Sequence, residues 1–275
     1  MTVEGHASCA QWLIDEVRVW TRARTAEELR ATMHTPLQAP KERVAKYEKK
    51  PKGERHKNAT YAAMVESVDR SVGRVMARLE KLGLAKNTVV IFTSDNGGHG
   101  RITSHQPLRG NKGNFYEGGI RVPLIVKWPG VIKPDSTCKV PVISTDYYPT
   151  LLAMTGQPAR PKQHVDGRNL LPLLKQTGTV KREALYWHYP NYIGAGHPGG
   201  ARPCSVIRSG DWKLIESFET NRLELFNLKE DLGEQNNLAA KMPAKAKALQ
   251  QQLAAWRAEA KVQMPQRNPD YKAGE

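Results

Sequence analysis

The longest periodic pattern in the sequence lies between Asn58 and Gly83 and predicts an amphipathic helix. Apolar residues recur there every three or four positions, which places them along one helical face. Asn58 can cap the first turn, and Gly83 can end the last turn because glycine accepts a positive φ. The predicted apolar face consists of Tyr61, Met64, Val65, Val68, Val72, Val75, Met76, Leu79 and Leu82.

Two apolar runs without a helical period predict strands. Val89–Phe92 is unbroken and rich in β-branched residues, which is typical of a strand buried on both faces in a parallel sheet. Val122–Trp128 is a second such run, with Pro123 tolerable near its start or on a sheet edge. A helix followed by a strand is half of a βαβ unit, so we expect a doubly wound α/β sheet.

The C-terminal part of the chain has a different pattern, in which short runs are separated by Pro, Gly and Asp. This pattern predicts a small antiparallel sheet, followed by an amphipathic helix over Ala239–Ala260. Between the two regions we expect a short strand at Val140–Ser144 and a capped helix at Thr145–Gly156. The predicted strands of the small sheet are Leu185–Tyr189, Ser205–Arg208, Trp212–Glu216 and Leu223–Leu228.

The first part of the chain combines one strand pattern with a charged stretch. Residues from Trp12 to Trp20 alternate as a half-buried strand does, and Thr25–Glu28 resembles a capping box. Because a lone strand cannot bury its apolar face, we expect this piece to be loosely held or packed on a neighbour. Residues 41–57 are rich in Lys and include a proline and a glycine, which predicts a solvated connector.

Composition narrows the possible partners. The chain has 275 residues, 39% of them hydrophobic and 25% charged, as in an ordinary soluble globular protein. Its formal net charge of +15 favours anionic partners. The basic residues are dispersed and form no nucleic-acid motif, so nucleic acid is not expected. Three widely spaced cysteines indicate no disulfide framework, and neither a membrane span nor a signal peptide is indicated.

Candidate chemistry follows the first predicted strand. Asp95 and Asn96 stand directly after it, and two glycines come next. Ligands bind at the carboxyl ends of strands in open α/β sheets, and a carboxylate beside an amide carbonyl suits Ca²⁺ or Mg²⁺. The loop that follows is basic and rich in glycine, and Lys112 within it can reach an anion held on a metal.

The order of these motifs resembles the second half of a type I sulfatase of the alkaline-phosphatase-like superfamily. The similar strings are TSDNGG at 93–98, PLRGNKGNFYEGGIRVP at 107–123 and KWPG at 127–130. The resemblance implies that Asp95 and Asn96 are metal ligands, usually for calcium, and that Lys112 binds the sulfate group of the substrate. His34, in a His-Thr-Pro segment, is the implied second sulfate contact. His188 is a further candidate for substrate binding, at the loop-rich entry to the small sheet, as is His197.

The resemblance also divides the chain. Residues 1–33 are similar to the closing segment of a laminin-G or concanavalin-like domain, and 34–180 to the C-terminal part of the sulfatase α/β domain. Residues 181–262 correspond to a small C-terminal α+β subdomain, and we expect 263–275 to be a disordered tail. Within the second region, the segment from His164 to Leu174 resembles a structural segment of sulfatases.

The resemblance leaves one expected element unmatched. Type I sulfatases use formylglycine, made from the Cys or Ser of a C/S-x-P/A-x-R motif, as the nucleophile. Cys204 and Arg208 have that spacing, but a valine stands where Pro or Ala belongs, and a strand is predicted there. We therefore interpret Cys204 as a small buried residue. We expect the chain to be a fragment that lacks the nucleophile and is inactive alone.

Other functions stay open at this point. A phosphodiesterase or phosphonate hydrolase of the same superfamily is one alternative, and a non-catalytic binder of acidic polysaccharide is another. The lead hypothesis is a sulfuric ester hydrolase by family, acting on sulfated saccharides or aryl sulfates. The family implies a periplasmic or extracellular location, and the sequence carries no signal for the oligomeric state.

Overall fold

The structure is a computed structural model and describes residues 38–192 and 202–266. Several predictions fall outside these residues: the laminin-G-like segment 1–33, His34, His197 and residues 267–275 of the expected tail. The chain divides into two compact units, one ending at Ala85 and the other beginning at Lys86.

The first unit contains two helices among its described residues, α1 (Lys41–Glu48) and α2 (Ala59–Lys81). The predicted caps of α2 are confirmed, because the Asn58 side chain accepts from the Tyr61 N–H at 2.8 Å and Gly83 has φ +69°. The connector predicted for residues 41–57 is wrong for 41–48. That stretch consists mainly of Lys, Arg, Glu and Ala, which have high helix propensity, and proline follows only at position 51.

The second unit begins with a two-stranded ribbon, β1 (Val90–Thr93) and β2 (Leu124–Lys127). The strands are antiparallel, with Val90 opposite Lys127 and Thr93 opposite Leu124. The prediction of a parallel strand buried on both faces is therefore wrong for Val89–Phe92. Within the described residues no third strand pairs with the ribbon, so Ile91 and Phe92 stay 37% and 40% exposed. An apolar run indicates a strand, but it does not specify the partner that covers it.

A short helical turn, α3 (Glu117–Ile120), precedes β2. After the ribbon come a 3-10 turn (Ser144–Asp146) and two helices, α4 (Tyr147–Met154) and α5 (Leu171–Leu174). The strand predicted at Val140–Ser144 does not form. The Ile143 N–H donates instead to Oδ2 of the buried Asp146, at 2.9 Å, so a side chain takes the place of a neighbouring strand. The same carboxylate accepts from the Arg168 N–H and pairs with Arg182.

The predicted small sheet is confirmed as a four-stranded antiparallel meander in the order β3-β4-β5-β6. One face packs on α6 (Pro243–Glu259) through a core that includes Ile207, Leu214, Leu225, Leu249 and Leu253. The other face carries Val206, Ile215 and Phe226, and Phe115 and Tyr116 of the basic loop pack against it. The strands are β3 (Leu185–Tyr189), β4 (Cys204–Ser209), β5 (Trp212–Ser217) and β6 (Leu223–Asn227).

Candidate metal and anion site

The first candidate residues form a tight turn at the end of β1, which we call the corner (residues 94–97). The Ser94 hydroxyl donates to the backbone carbonyl of Asn96 at 2.9 Å, and the Asn96 amide donates to Asp95 Oδ2. Asp95 is exposed to solvent. The turn therefore presents a carboxylate and an amide group side by side at the carboxyl end of a strand, as the sequence predicted.

The glycine after Asn96 determines where the corner lies. The Gly97 N–H donates to the Gly119 carbonyl at 2.9 Å. A Cβ on Gly97 would come within 1.8 Å of the Gly118 carbonyl oxygen, and one on Gly119 within 2.0 Å of the Asn114 carbonyl oxygen. Only residues without a side chain allow the two backbone segments to approach this closely. The corner and the Gly118-Gly119 turn are therefore packed backbone against backbone.

The basic loop (residues 107–121) is tied to the same corner. The Lys112 N–H donates to the Gly98 carbonyl at 3.0 Å, and the Gly98 N–H donates to His105 Nε2 at 2.7 Å. Lys112 is thus attached by its backbone to the residue two positions after Asn96. The structure brings Asp95, Asn96 and the Lys112 backbone into one local arrangement.

Two other cations of the loop have structural contacts. The Arg109 guanidinium lies 3.9 Å from the centroid of the Tyr116 ring and donates to the Glu234 carbonyl at 2.8 Å. The Tyr116 hydroxyl donates to Glu224 at 2.9 Å, and burial together with that carboxylate raises the pKa of Tyr116 to about 12. Arg121 lies 3.7 Å from a carboxylate oxygen of Glu117. Arg109 and Arg121 therefore contribute to the packing of the loop.

Beneath the loop lies a buried charge cluster, formed by Glu117, Lys213 and Glu234, that sequence reasoning missed. Lys213 Nζ lies 3.0 Å from Glu117 Oε1 and 2.8 Å from Glu234 Oε1. The second contact is an ion pair without hydrogen-bond alignment. Burial raises the pKa of Glu234, against the opposing effect of Lys213. One signal was available in the sequence, namely a lysine inside the apolar strand Trp212–Ser217.

His188 lies on the opposite face of the small sheet from the loop. Successive residues of a strand point to opposite faces: Trp187 packs on the loop side, whereas Tyr186 stacks on Trp256 of α6. The His188 Nδ1 atom is 2.7 Å from the Ser205 hydroxyl, and Nε2 is 2.8 Å from the Gln263 carbonyl. The structure therefore does not bring His188 together with Lys112, and its substrate contact stays a prediction.

The interpretation of Cys204 as a small buried residue agrees with its position. It opens β4, is only 7% exposed, and burial raises the pKa of its thiol to about 12. Because the thiolate is the reactive form of cysteine, a thiol with that pKa is a poor nucleophile at neutral pH.

The corner residues fit a hard cation in the chemistry of their donors, since a carboxylate and an amide carbonyl are ligands that Ca²⁺ takes. Ca²⁺ needs about 6–8 oxygen ligands. Within residues 38–192 and 202–266, however, no group of three or more His, Cys, Asp or Glu could hold a metal ion. In the described part of the chain, Asp95 and Asn96 alone would therefore not complete a Ca²⁺ coordination shell.

Comparisons with known proteins bear on this site. The sulfatase family matches residues 31–157, and the family of the N-sulphoglucosamine sulphohydrolase C-terminal region matches residues 111–261. A sulfatase from Formosa agariphila is 42% identical over 219 residues, which are 73% of this chain and 39% of that protein. The chain thus spans well under half the length of this relative.

Solved structures agree with the family matches. A crystal structure of Ps i-CgsB in complex with a neocarrahexaose is similar at a TM-score of 0.68 and 30% identity, over 82% of this chain and 48% of that one. A structure of BT4656 with its substrate D-glucosamine-2-N,6-O-disulfate is similar at a TM-score of 0.60 and 28% identity, over 80% of this chain and 46% of that one. A structure of a phosphonate monoester hydrolase from Silicibacter pomeroyi is similar at a TM-score of 0.59 and 26% identity, over 73% of this chain and 40% of that one. The predicted alkaline-phosphatase-like α/β class is confirmed.

None of the described helices is long and apolar enough to cross a membrane.

Proposed function

This chain belongs to the sulfatase family, and we propose that it carries part of the metal and sulfate site of a sulfuric ester hydrolase. The observation that supports the proposal is the pair of backbone hydrogen bonds Gly97–Gly119 and Lys112–Gly98. They attach a carboxylate–amide turn and a lysine loop to each other, which is the arrangement needed to hold a cation and an anion together.

Each residue has a distinct proposed part. Asp95 and Asn96 would hold Ca²⁺, with Mg²⁺ as the alternative, and a bound cation would stabilise negative charge on the sulfate oxygens. Lys112 would bind the sulfate group through its ammonium. His34 and His188 are proposed as further substrate contacts. The glycines at 97, 98, 118 and 119 would keep the turn and the loop in register without side chains in the way.

We further propose that the chain alone does not hydrolyse sulfate esters. Its sequence contains no C/S-x-P/A-x-R motif from which formylglycine could form. Cys204 has the closest spacing, but its thiol is buried in β4 and stays protonated at neutral pH. Losing the covalent nucleophile removes most of the rate enhancement even where binding groups remain. Incubating the purified chain with a chromogenic aryl sulfate, with and without calcium, tests this, and any turnover would contradict it. Turnover abolished by Cys204→Ala would overturn the interpretation of Cys204, and turnover insensitive to all three cysteines would indicate another nucleophile.

The proposed substrate is a sulfated saccharide or an aryl sulfate. The proposed location of the protein is the periplasm or the outside of the cell. The saccharide is suggested by the similarity to a structure whose bound substrate is a disulfated glucosamine. A phosphonate ester is the rival, because a phosphonate monoester hydrolase is also similar in structure. The two are separated by competition: a sulfated glucosamine should displace bound sulfate ion from this chain more effectively than phenylphosphonate does.

A second candidate function is non-catalytic binding of acidic polysaccharide, which the net charge of +15 favours. One experiment separates it from a specific anion site. We expect Lys112→Ala to weaken sulfate-ion binding about tenfold or more in calorimetric titration, as removal of a charged hydrogen-bond donor does. Arg101→Ala is the matched control, since Arg101 is an exposed cation of the neighbouring loop. Equal losses from both variants, abolished by moderate salt, would indicate diffuse charge attraction instead.

A further inference from the structure

Two residues of the basic loop, Arg109 near its start and Glu117 near its end, are hydrogen-bonded to the same residue, Glu234. The Arg109 guanidinium donates to its backbone carbonyl at 2.8 Å, and the Glu117 N–H donates to its Oε2 at 2.6 Å. The two ends also contact each other, because the Gly118 N–H donates to the Arg109 carbonyl at 2.7 Å. The loop that contains Lys112 is therefore closed at its base by a residue more than a hundred positions away in sequence.

From this base the connection to the corner is short. Gly118 and Gly119 directly follow Glu117, and they form the surface against which Gly97 packs. A movement of the Glu117 backbone therefore moves the carbonyls that hold Gly97. Asn96 and Asp95 immediately precede Gly97 and would move with it.

Lys213 allows the two carboxylates of this base to lie close together. Its side chain is fully buried between Glu117 and Glu234, and Arg208 lies 3.4 Å from the other carboxylate oxygen of Glu117. Without a cation between them, two buried carboxylates would repel each other in a medium of low dielectric. Lys213 is thus the cation that contacts both carboxylates of the loop base.

We propose that Lys213 and Glu234 are positioning residues, which hold the Asp95–Asn96 corner and the Lys112 loop in the arrangement that binds metal and sulfate. The inference rests on the proposed function for the nature of the ligand. The mechanical connection it describes is independent of that function, so the two can be tested separately.

The mechanical part is tested by amide hydrogen exchange on the full chain. We expect Lys213→Met to accelerate exchange of the Gly97, Gly118 and Lys112 amides about tenfold or more relative to the amides of β4 and β5, as local opening does. Arg257→Met is the matched control. It removes the part-buried ion pair with Glu216 on the other face of the same sheet, and should leave that ratio of exchange rates unchanged. The same ratio in both variants would overturn the proposal.

A second variant keeps the test valid if Lys213→Met does not fold. Glu234→Gln retains an oxygen that can accept from the Glu117 N–H but loses the charge that pairs with Lys213. We expect it to accelerate exchange at the same three amides by a smaller factor than Lys213→Met. No selective change at these amides in a folded Glu234→Gln variant would contradict the proposal.

The functional part is tested with Tb³⁺, a luminescent substitute for Ca²⁺. We expect the Tb³⁺ dissociation constant of the Lys213→Met or Glu234→Gln variant to rise about tenfold, about 1.4 kcal/mol, and that of Arg257→Met to stay unchanged. Faster exchange at the corner with unchanged Tb³⁺ affinity would mean that the corner is not the metal site. That result would refute the proposed function while leaving the mechanical connection in place.

Discussion

The β1–β2 ribbon and the four-stranded sheet show what a strand gains from its neighbours. Both are built from apolar runs of similar length, and both pair antiparallel. The sheet is covered by α6 on one face and by the basic loop on the other, so Val206, Leu214 and Phe226 are fully buried. In the ribbon, by contrast, Ile125 is 61% exposed. Apolar sequence alone therefore does not produce burial, which requires an element on each face.

The largest expected effect is the loss of stability when an apolar side chain is shortened in the sheet, compared with the same change in the ribbon. Leu214→Ala should lower the free energy of unfolding by about 2–5 kcal/mol, because it leaves a cavity between β5 and α6. Ile125→Ala in the ribbon should cost less than about 1 kcal/mol, since little apolar area returns to water. Urea unfolding followed by tryptophan fluorescence measures both. Equal losses would show that the ribbon is covered in solution.

High pH should lower the free energy of unfolding, because the sheet and the basic loop each contain a buried acidic group with a raised pKa. Burial raises the pKa of Cys204 and of Tyr116 to about 12. The folded chain thus keeps these protons at pH values where the unfolded chain has lost them, so stability falls as pH rises between the unfolded and folded values. Each group should contribute a slope of about −1.4 kcal/mol per pH unit in that window.

Unfolding measured between pH 8 and about 11 tests this linkage. Cys204→Ala and Tyr116→Phe should each make the decline less steep. Tyr192→Phe is the control for the loss of a tyrosine hydroxyl at a solvent-exposed position. A decline that is unaffected by the first two substitutions would contradict the assignment.

A third comparison concerns two glycines, whose substitution by alanine should have opposite effects on stability. Gly97→Ala should destabilise the second unit by more than about 1 kcal/mol, because a Cβ would meet a backbone oxygen that cannot move alone. Gly73 lies inside α2 with open space around it, so Gly73→Ala should stabilise its helix by about 0.5–1 kcal/mol. Thermal unfolding of both variants measures whether each substitution raises or lowers stability. No loss of stability in Gly97→Ala would contradict the close backbone packing.

Local patterns in the sequence predicted most of the elements. The helix from Asn58 to Gly83 and all the strands of the small sheet were confirmed, because periodicity reports directly which side of an element is apolar. The short strings around Asp95, Asn96 and Lys112 nominated two segments that the structure joins through the Gly97–Gly119 and Lys112–Gly98 backbone hydrogen bonds. Where the prediction failed at Val140–Ser144, a side chain, Asp146, had taken the hydrogen bond that a neighbouring strand would accept.

The sequence by itself determined the helix after Asn58, the strands of the small sheet and the absence of the nucleophile motif from the printed residues, and it nominated Asp95, Asn96 and Lys112 as candidates for metal and anion contacts. Only the tertiary structure decided how the ribbon pairs, which face of the sheet His188 occupies, and that Lys213 lies between Glu117 and Glu234. The physical reason is distance along the chain. Periodicity and capping act within a few residues, whereas Lys213 and Glu117 are 96 positions apart and meet only when the loop packs on the sheet.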